Sequence, residues 1–244
     1  MPGQGSRGFT ERVAIVTDGG NPFGRAIAMQ LALEGCYVIA GFADSSVENA
    51  RALVELQSIG TLASAVNADV ATIDGIKDLF EQVEQMYNRL DLLVNTAQFQ
   101  PQIDFPGTEE LDFVEYINCN LKSAFFCSQA AIRLMKNRPN AAIVTLANDF
   151  GDDEDVLSMM GQTALIGLTK SLAKSLAARL GPPIRSNCVS FQADERSVNE
   201  FELLNSEYVV APSDVARAVI YLLSPEAAAI TGQIVTVGAK RSKI

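Results

Sequence analysis

Short β-branched runs alternate with longer stretches of helical periodicity along almost the whole chain, and this alternation restricts the fold more than any other feature. A run such as Val13-Ala-Ile-Val-Thr17 is apolar on both faces, so it needs helices above and below it. Repetition of that unit makes a parallel sheet covered on both sides. Strands are expected at Val13 to Thr17, Tyr37 to Gly41, Ala63 to Asn67, Leu92 to Asn95, Ala142 to Ala147, Arg185 to Val189 and Gln233 to Val237. Helices are expected over 24–34, 46–58, 72–88, 109–137, 158–180 and 213–223. Gly35, Gly60 and Gly181 follow helical runs, as left-handed caps do. Pro212-Ser213-Asp214 reads as the start of the last helix. The expected fold class is α/β, a doubly wound seven-stranded parallel sheet with helices on both faces.

At 244 residues, 48% of them hydrophobic, the chain is long enough to bury one large core. A single domain over 10–244 is expected, preceded by a loose arm from Met1 to Phe9 rich in Gly and polar residues. The 19 Lys+Arg set against 29 Asp+Glu leave a net charge of −10, which disfavours nucleic acid and anionic membrane surfaces as partners. There is no basic-then-apolar leader, and no apolar run approaches the roughly 20 residues that span a bilayer. Cys36, Cys119, Cys127 and Cys188 form no C-x-x-C pair and sit in apolar stretches, the setting of free thiols in a reducing cytoplasm. The chain has no histidine, which excludes Ser-His-Asp and Cys-His catalysis and removes the commonest nitrogen ligand from any metal site. No metal is expected. The acidic stretch Asp149-Phe-Gly-Asp-Asp-Glu-Asp155 lacks the alternating ligands and glycine of a calcium loop. It reads as a solvated acidic loop, with repulsion of anionic cofactors or a basic partner patch as the sharper alternatives.

The first strand, turn and helix read Val13-Ala-Ile-Val-Thr17-Asp18-Gly19-Gly20-Asn21-Pro22-Phe23-Gly24-Arg25-Ala26-Ile27-Ala28, which resembles the nucleotide-binding turn of the short-chain dehydrogenase/reductase family. Later landmarks follow in the same order. Ala68-Asp69-Val70 is similar to the family's adenine-side aspartate segment, and Asp91-Leu-Leu-Val-Asn95-Thr96-Ala97-Gln98 to its Asn-Asn-Ala-Gly strand end. Asn120-Leu-Lys-Ser-Ala-Phe resembles the helix with its structural asparagine, and Leu165 to Ala173 the helix after its Tyr-x-x-x-Lys. Pro212 to Ser224, with Thr231-Gly232-Gln233, resembles its C-terminal end. The likeness runs from about Arg12 to Val237 and implies a Rossmann-type fold.

The resemblance also implies a set of functional positions, and most carry a different side chain here. In the turn, glycines let the backbone approach a cofactor diphosphate resting on the helix N-terminus. The first is Asp18, the second Pro22, and Gly24 alone is kept. Asp18 can serve as a built-in anion near the helix dipole, and Pro22 suits a first helical turn. At the end of the second strand Phe42 stands where an acid would hold the ribose, and Asn21 where a basic residue would meet an extra phosphate. The family's catalytic Tyr, Lys and Ser positions are Ser158, Gln162 and Asn148, with only its Asn kept, as Asn120. An aliphatic hydroxyl ionises far less readily than a phenol, and a neutral amide does not lower its pKa as an ammonium would. None of the five tyrosines is followed four residues later by lysine; Tyr116 shares a helix face with Asn120 and reads as core packing. The Pro-Gly after the sixth strand is Phe191-Gln192, the end after Thr231-Gly232-Gln233 is Val237-Gly238-Ala239, and the covering segment Ala193 to Ala211 is abbreviated.

No catalytic residue, no NAD(P) and no other cofactor are therefore expected in this chain, Asp69 and Asn95 being vestiges of a nucleotide site. The function expected is that of a catalytically inactive subunit that stabilises or regulates an active paralogue in a heterotetrameric NAD(P)-dependent alcohol dehydrogenase, with a hydroxyacyl-CoA as the substrate class considered. Contact would run through the helices near 109–137 and 158–180 and the C-terminal strand, which mix small and apolar residues. Two alternatives stay open: a non-catalytic sensor of a nucleotide or acyl-CoA, and a divergent NAD(P)-dependent oxidoreductase.

Overall fold

Along β1 (Val13–Val16), Ala14 and Val16 pack into one apolar cluster, and Val13 and Ile15 into another. That two-residue period is what a strand buried on both faces requires. β4 (Leu92–Asn95) and β5 (Ala142–Asn148) repeat it, with Leu92, Val94, Ala142 and Val144 in the first cluster and Leu93 and Ile143 in the second. Together with β2 (Tyr37–Phe42), β3 (Ala63–Asn67), β6 (Arg185–Phe191) and β7 (Ile234–Val237) they form one seven-stranded sheet, ordered β3-β2-β1-β4-β5-β6-β7. Every pairing is parallel. The expected fold class is the one observed. The computed structural model describes residues 8–43, 47–58, 63–96, 105–148, 156–178, 183–191 and 210–238.

Helices α1 (Pro22–Leu33), α2 (Val47–Ser58) and α7 (Pro212–Leu223) supply the first cluster; α3 (Ile73–Tyr87) and α5 (Ser123–Leu134) supply the second. α6 (Val156–Ala177) packs on β5 and β6, and α4 (Glu110–Ile117) packs on α6. Strand ends move by a residue or two from expectation: β6 runs past Val189 to Phe191, because β5 and β7 extend its ladder on both sides. The one helix expected over 109–137 is instead α4, a π turn at Asn118–Lys122, and α5. Asn120 Nδ2 donates to the Tyr116 carbonyl at 2.9 Å, and Ser123 Oγ donates to the Cys119 and Asn120 carbonyls. Side chains that bond to main-chain carbonyls in this way compete with the regular ladder and widen the turn.

Gly35 closes α1 at φ 93°, whereas α3 ends on Asn88 at φ 50°. Gly60, Gly181, the acidic stretch 149–155 and nearly all of the covering segment 193–211 lie outside the described residues. So do residues 1–7 of the arm; at its end Phe9 is fully buried against the first cluster. Among the described residues no helix is long and apolar enough to cross a membrane, and no group of three Cys, Asp or Glu could hold a metal ion.

At the amino end of the sheet, Asp91 is nearly inaccessible and accepts from Val13 N–H at 2.9 Å, Arg89 at 2.8 Å and Arg138 at 3.2 Å. Arg185 donates to the carbonyls of Leu222, Leu223 and Ser224 at the C-terminus of α7, where a cation meets the negative end of the helix dipole. Burial first, and then the charge of Arg12, bring its pKa down to about 10, so it stays protonated at neutral pH. Asp91→Ala strands two arginines and an N–H, and is expected to cost ~2–3 kcal/mol in urea unfolding, below the full figure for a buried pair because both arginines reach solvent. A loss under about 0.5 kcal/mol would show the cluster to be incidental.

Candidate functional site

The connections leaving β1 and β4 run in opposite directions, so a crevice opens outside the carboxyl ends of these two strands. Thr17-Asp18 and Asn95-Thr96 stand at its floor, locked together across the sequence. Thr96 N–H donates to Thr17 Oγ1 at 2.9 Å, Asp18 N–H donates to Thr96 Oγ1 at 3.0 Å, and that hydroxyl donates to the Asp18 carbonyl at 3.0 Å.

The turn after β1 holds its own anion. Asp18 Oδ1 accepts from the N–H groups of Gly20 at 2.9 Å and Asn21 at 3.3 Å, while Oδ2 accepts from Asn21 Nδ2 at 2.9 Å. Asn21, which the resemblance set against a nucleotide phosphate, is the N-cap of α1: its Oδ1 accepts from Gly24 N–H at 2.7 Å, and Pro22 opens the helix. Arg25 N–H goes to the Asn21 carbonyl at 2.9 Å. The Phe23 N–H, at the same helix end, is engaged by neither the Asp18 nor the Asn21 side chain. Gly24 is needed for the close approach, since a Cβ there would lie 1.8 Å from the Asp18 carbonyl oxygen.

On the adenine side of the resemblance, Asp69 is half-buried, and its Oδ1 accepts from Ala71 N–H at 2.9 Å. Thr72 caps α3 through Gly75 N–H at 3.0 Å. Cys119 on the π turn senses Asp69: burial first, then Asp69 and Glu115, raise its thiol pKa. Phe42, at the end of β2, is buried. Asn95 Nδ2 donates to Ser128 Oγ and Thr145 Oγ1, both at 3.2 Å, and its Oδ1 is buried with no hydrogen-bond partner.

Across the crevice, Asn148 ends β5 opposite Phe191 of β6, and Ser158 sits in the first turn of α6 at 1% exposure. Gln162, one turn on, is half-buried, its Nε2 3.4 Å from Ser190 Oγ on β6. The fold thus gathers Asn120, Ser158 and Gln162 on two packed elements, the π turn and α6. Sequence reasoning missed two contacts. The Phe23 and Phe191 rings meet at 4.4 Å between centroids, joining the first turn of α1 to the end of β6. The Tyr116 hydroxyl donates to the Ser158 carbonyl at 3.4 Å, with its ring over Gly161. A glycine inside a helical run was the only signal for the second, and nothing local signalled the first.

The comparisons with known proteins point one way. A family model described as enoyl-(acyl carrier protein) reductase matches residues 20–239. The 3-oxoacyl-[acyl-carrier-protein] reductase FabG of Staphylococcus aureus is 32% identical over 235 residues, 92% of this chain and 95% of the relative. The 3-oxoacyl-[acyl-carrier-protein] reductase of Synechocystis is 30% identical over 238 residues, 92% and 94% of the two chains. A short-chain dehydrogenase of Burkholderia cenocepacia, solved in complex with NADP, superposes with a TM-score of 0.81 at 25% identity, covering 94% of this chain and 97% of that one.

These findings correct three expectations: that the chain is no enzyme, that it serves as an inactive subunit of a heterotetramer, and that it has no cofactor. The relatives it matches over nearly their full length are reductases, and the Burkholderia neighbour holds NADP. The physical reason for the misreading lies in counting missing side chains. Ser158 and Gln162 still put a hydroxyl and an amide on the first turns of α6, and Asp18 takes some of the N–H groups of the turn without taking that of Phe23. A match to the family model over residues 20–239, relatives at 30–32% identity and the seven-stranded parallel sheet agree: the chain belongs to the short-chain dehydrogenase/reductase family.

Proposed function

We propose that the chain is a divergent NAD(P)-dependent oxidoreductase that reduces the 3-oxo group of an acyl thioester, with neutral hydrogen-bond donors where its relatives use a phenol and an ammonium. The observation that carries this reading is the match, over 92% of the chain, to 3-oxoacyl-[acyl-carrier-protein] reductases. The residues of the crevice fit a dinucleotide in part. Gly24 keeps the turn close enough for backbone approach, the Phe23 N–H points from a helix N-terminus suited to an anion, and Asp69 keeps one carboxylate oxygen for an exocyclic amine. Asp18 is the group set against a diphosphate, and its charge is shared among three donors of its own turn.

The bound nucleotide would supply the hydride. The side chains of this protein deal with the oxygen of the substrate carbonyl, on which negative charge develops. Ser158 donates a hydrogen bond to it, and Gln162 adds an amide donor, both held on the first two turns of α6. Asn120, in the π turn packed on α6, keeps that helix in register with α4. Donors of this kind stabilise an oxyanion, but they transfer a proton less readily than a phenol. Slow turnover follows. The free thiols at Cys36, Cys119, Cys127 and Cys188 support a cytoplasmic setting. Exposed Leu111 and Phe113 on α4, Phe125 on α5 and Met159 on α6 support assembly with another chain through these helices.

The test is direct: purified chain with NADPH or NADH and acetoacetyl-CoA, turnover followed by the loss of reduced-nucleotide absorbance and nucleotide binding followed separately by fluorescence. Slow, enzyme-dependent oxidation that falls about tenfold or more, to a still measurable rate, in Ser158→Ala is the expected result. Absence of both binding and oxidation with either nucleotide would overturn the proposal.

A further inference from the structure

Tyr116 is the one phenol that reaches the helix carrying Ser158 and Gln162 among the described contacts, and three observations tie it to that helix. Its hydroxyl donates to the Ser158 carbonyl at 3.4 Å. Its ring fills the space over Gly161, where an added Cβ would lie 2.2 Å from the hydroxyl oxygen and 2.3 Å from Cε1. Its own carbonyl accepts from Asn120 Nδ2 at 2.9 Å, inside the π turn that packs on α6. At 4% exposure the side chain has little freedom to leave.

A tyrosine used only to fill space would serve as well without its hydroxyl, and an alanine would ordinarily be preferred to Gly161 in a helix by up to about 1 kcal/mol. Here the glycine is what lets the phenol approach the main chain at Ser158. We propose that Tyr116 is a positioning residue: its hydroxyl fixes the first turn of α6 and so aims the Ser158 hydroxyl at the substrate oxygen. The inference rests on the reading of Ser158 as the donor to that oxygen. Tyr116 acts through Ser158 and touches no reacting atom.

The experiment compares wild type, Tyr116→Phe, Ser158→Ala and the double variant, by turnover of acetoacetyl-CoA and by thermal unfolding. Loss of one hydrogen bond is expected to lower kcat three- to tenfold, roughly the worth of one such bond. KM for the nucleotide should not change. In the Ser158→Ala background Tyr116→Phe should have no further effect, because the group it aims is gone. Equal losses in both backgrounds would mark a general structural role and overturn the proposal.

A second measurement needs no turnover. Ser158→Cys, with and without Tyr116→Phe, is alkylated with iodoacetamide and the rate at position 158 read by peptide mass spectrometry, Cys119 serving as internal control. A severalfold change in that rate on loss of the phenol hydroxyl is expected; equal rates overturn the positioning role. An inactive wild type whose position 158 still responds would instead count against the oxidoreductase reading alone.

Discussion

Ser158→Tyr combined with Gln162→Lys raises kcat for reduction of acetoacetyl-CoA by about 10²- to 10⁴-fold, the usual worth of a well-placed general acid. The two positions are one turn apart on α6, so an ammonium at 162 lies on the same face as a phenol at 158 and lowers its pKa. Neither change suffices alone: the phenol without its cation stays protonated too firmly, and the cation without a phenol has nothing to tune. The gain is therefore expected to be far more than the product of the single effects. The variant protein must first show an unchanged unfolding midpoint, since Ser158 is buried and the larger ring needs the crevice to receive it. A folded double variant with the turnover of the wild type would mean that α6 does not present these positions to the substrate.

The second large effect is on affinity. Asp18→Asn keeps an acceptor for the Gly20 N–H while removing a full charge from the diphosphate end of the crevice. Two unit charges at about 4 Å interact by roughly 1 kcal/mol in water and roughly 4 kcal/mol at the effective dielectric of a protein surface. At about 1.4 kcal/mol per decade, binding of NADH or NADPH is expected to tighten by about tenfold or more. Titration by fluorescence reads it directly, and the gain should shrink as salt screens the charge. Asp18→Gly tests the same point with the N–H groups of Gly20 and Asn21 set free, and should tighten binding at least as much. Unchanged affinity in both variants would show that the carboxylate, already neutralised by its own turn, does not oppose the nucleotide.

Function was harder to read than fold because the two depend on different things. The resemblance assigns each functional position by its place in the chain, but draws its meaning from the side chain that is absent. Ser158, Gln162 and Asp18 stand where the resemblance sets a phenol, an ammonium and a glycine; only the structure shows a hydroxyl and an amide one turn apart on α6 and a carboxylate bonded within its own turn. Asn120 matches the family's structural asparagine in the sequence, yet neither the π turn around it nor the bond from its amide to the Tyr116 carbonyl could be told from its identity.

What the chain alone determined is the order of its strands and helices and which side of each is apolar. These follow from periods of two and of 3.6 residues, which act between near neighbours. The doubly wound sheet then follows from the need to cover strands such as Val13–Val16 on both faces. Only tertiary structure decided that Thr96 would clasp Asp18 from 78 residues away, that Phe23 would meet Phe191, and that Tyr116 would reach Ser158 across 42 residues to lie over Gly161. Such contacts are chosen by which strand ends and helix turns the sheet brings together, and no local preference encodes that choice.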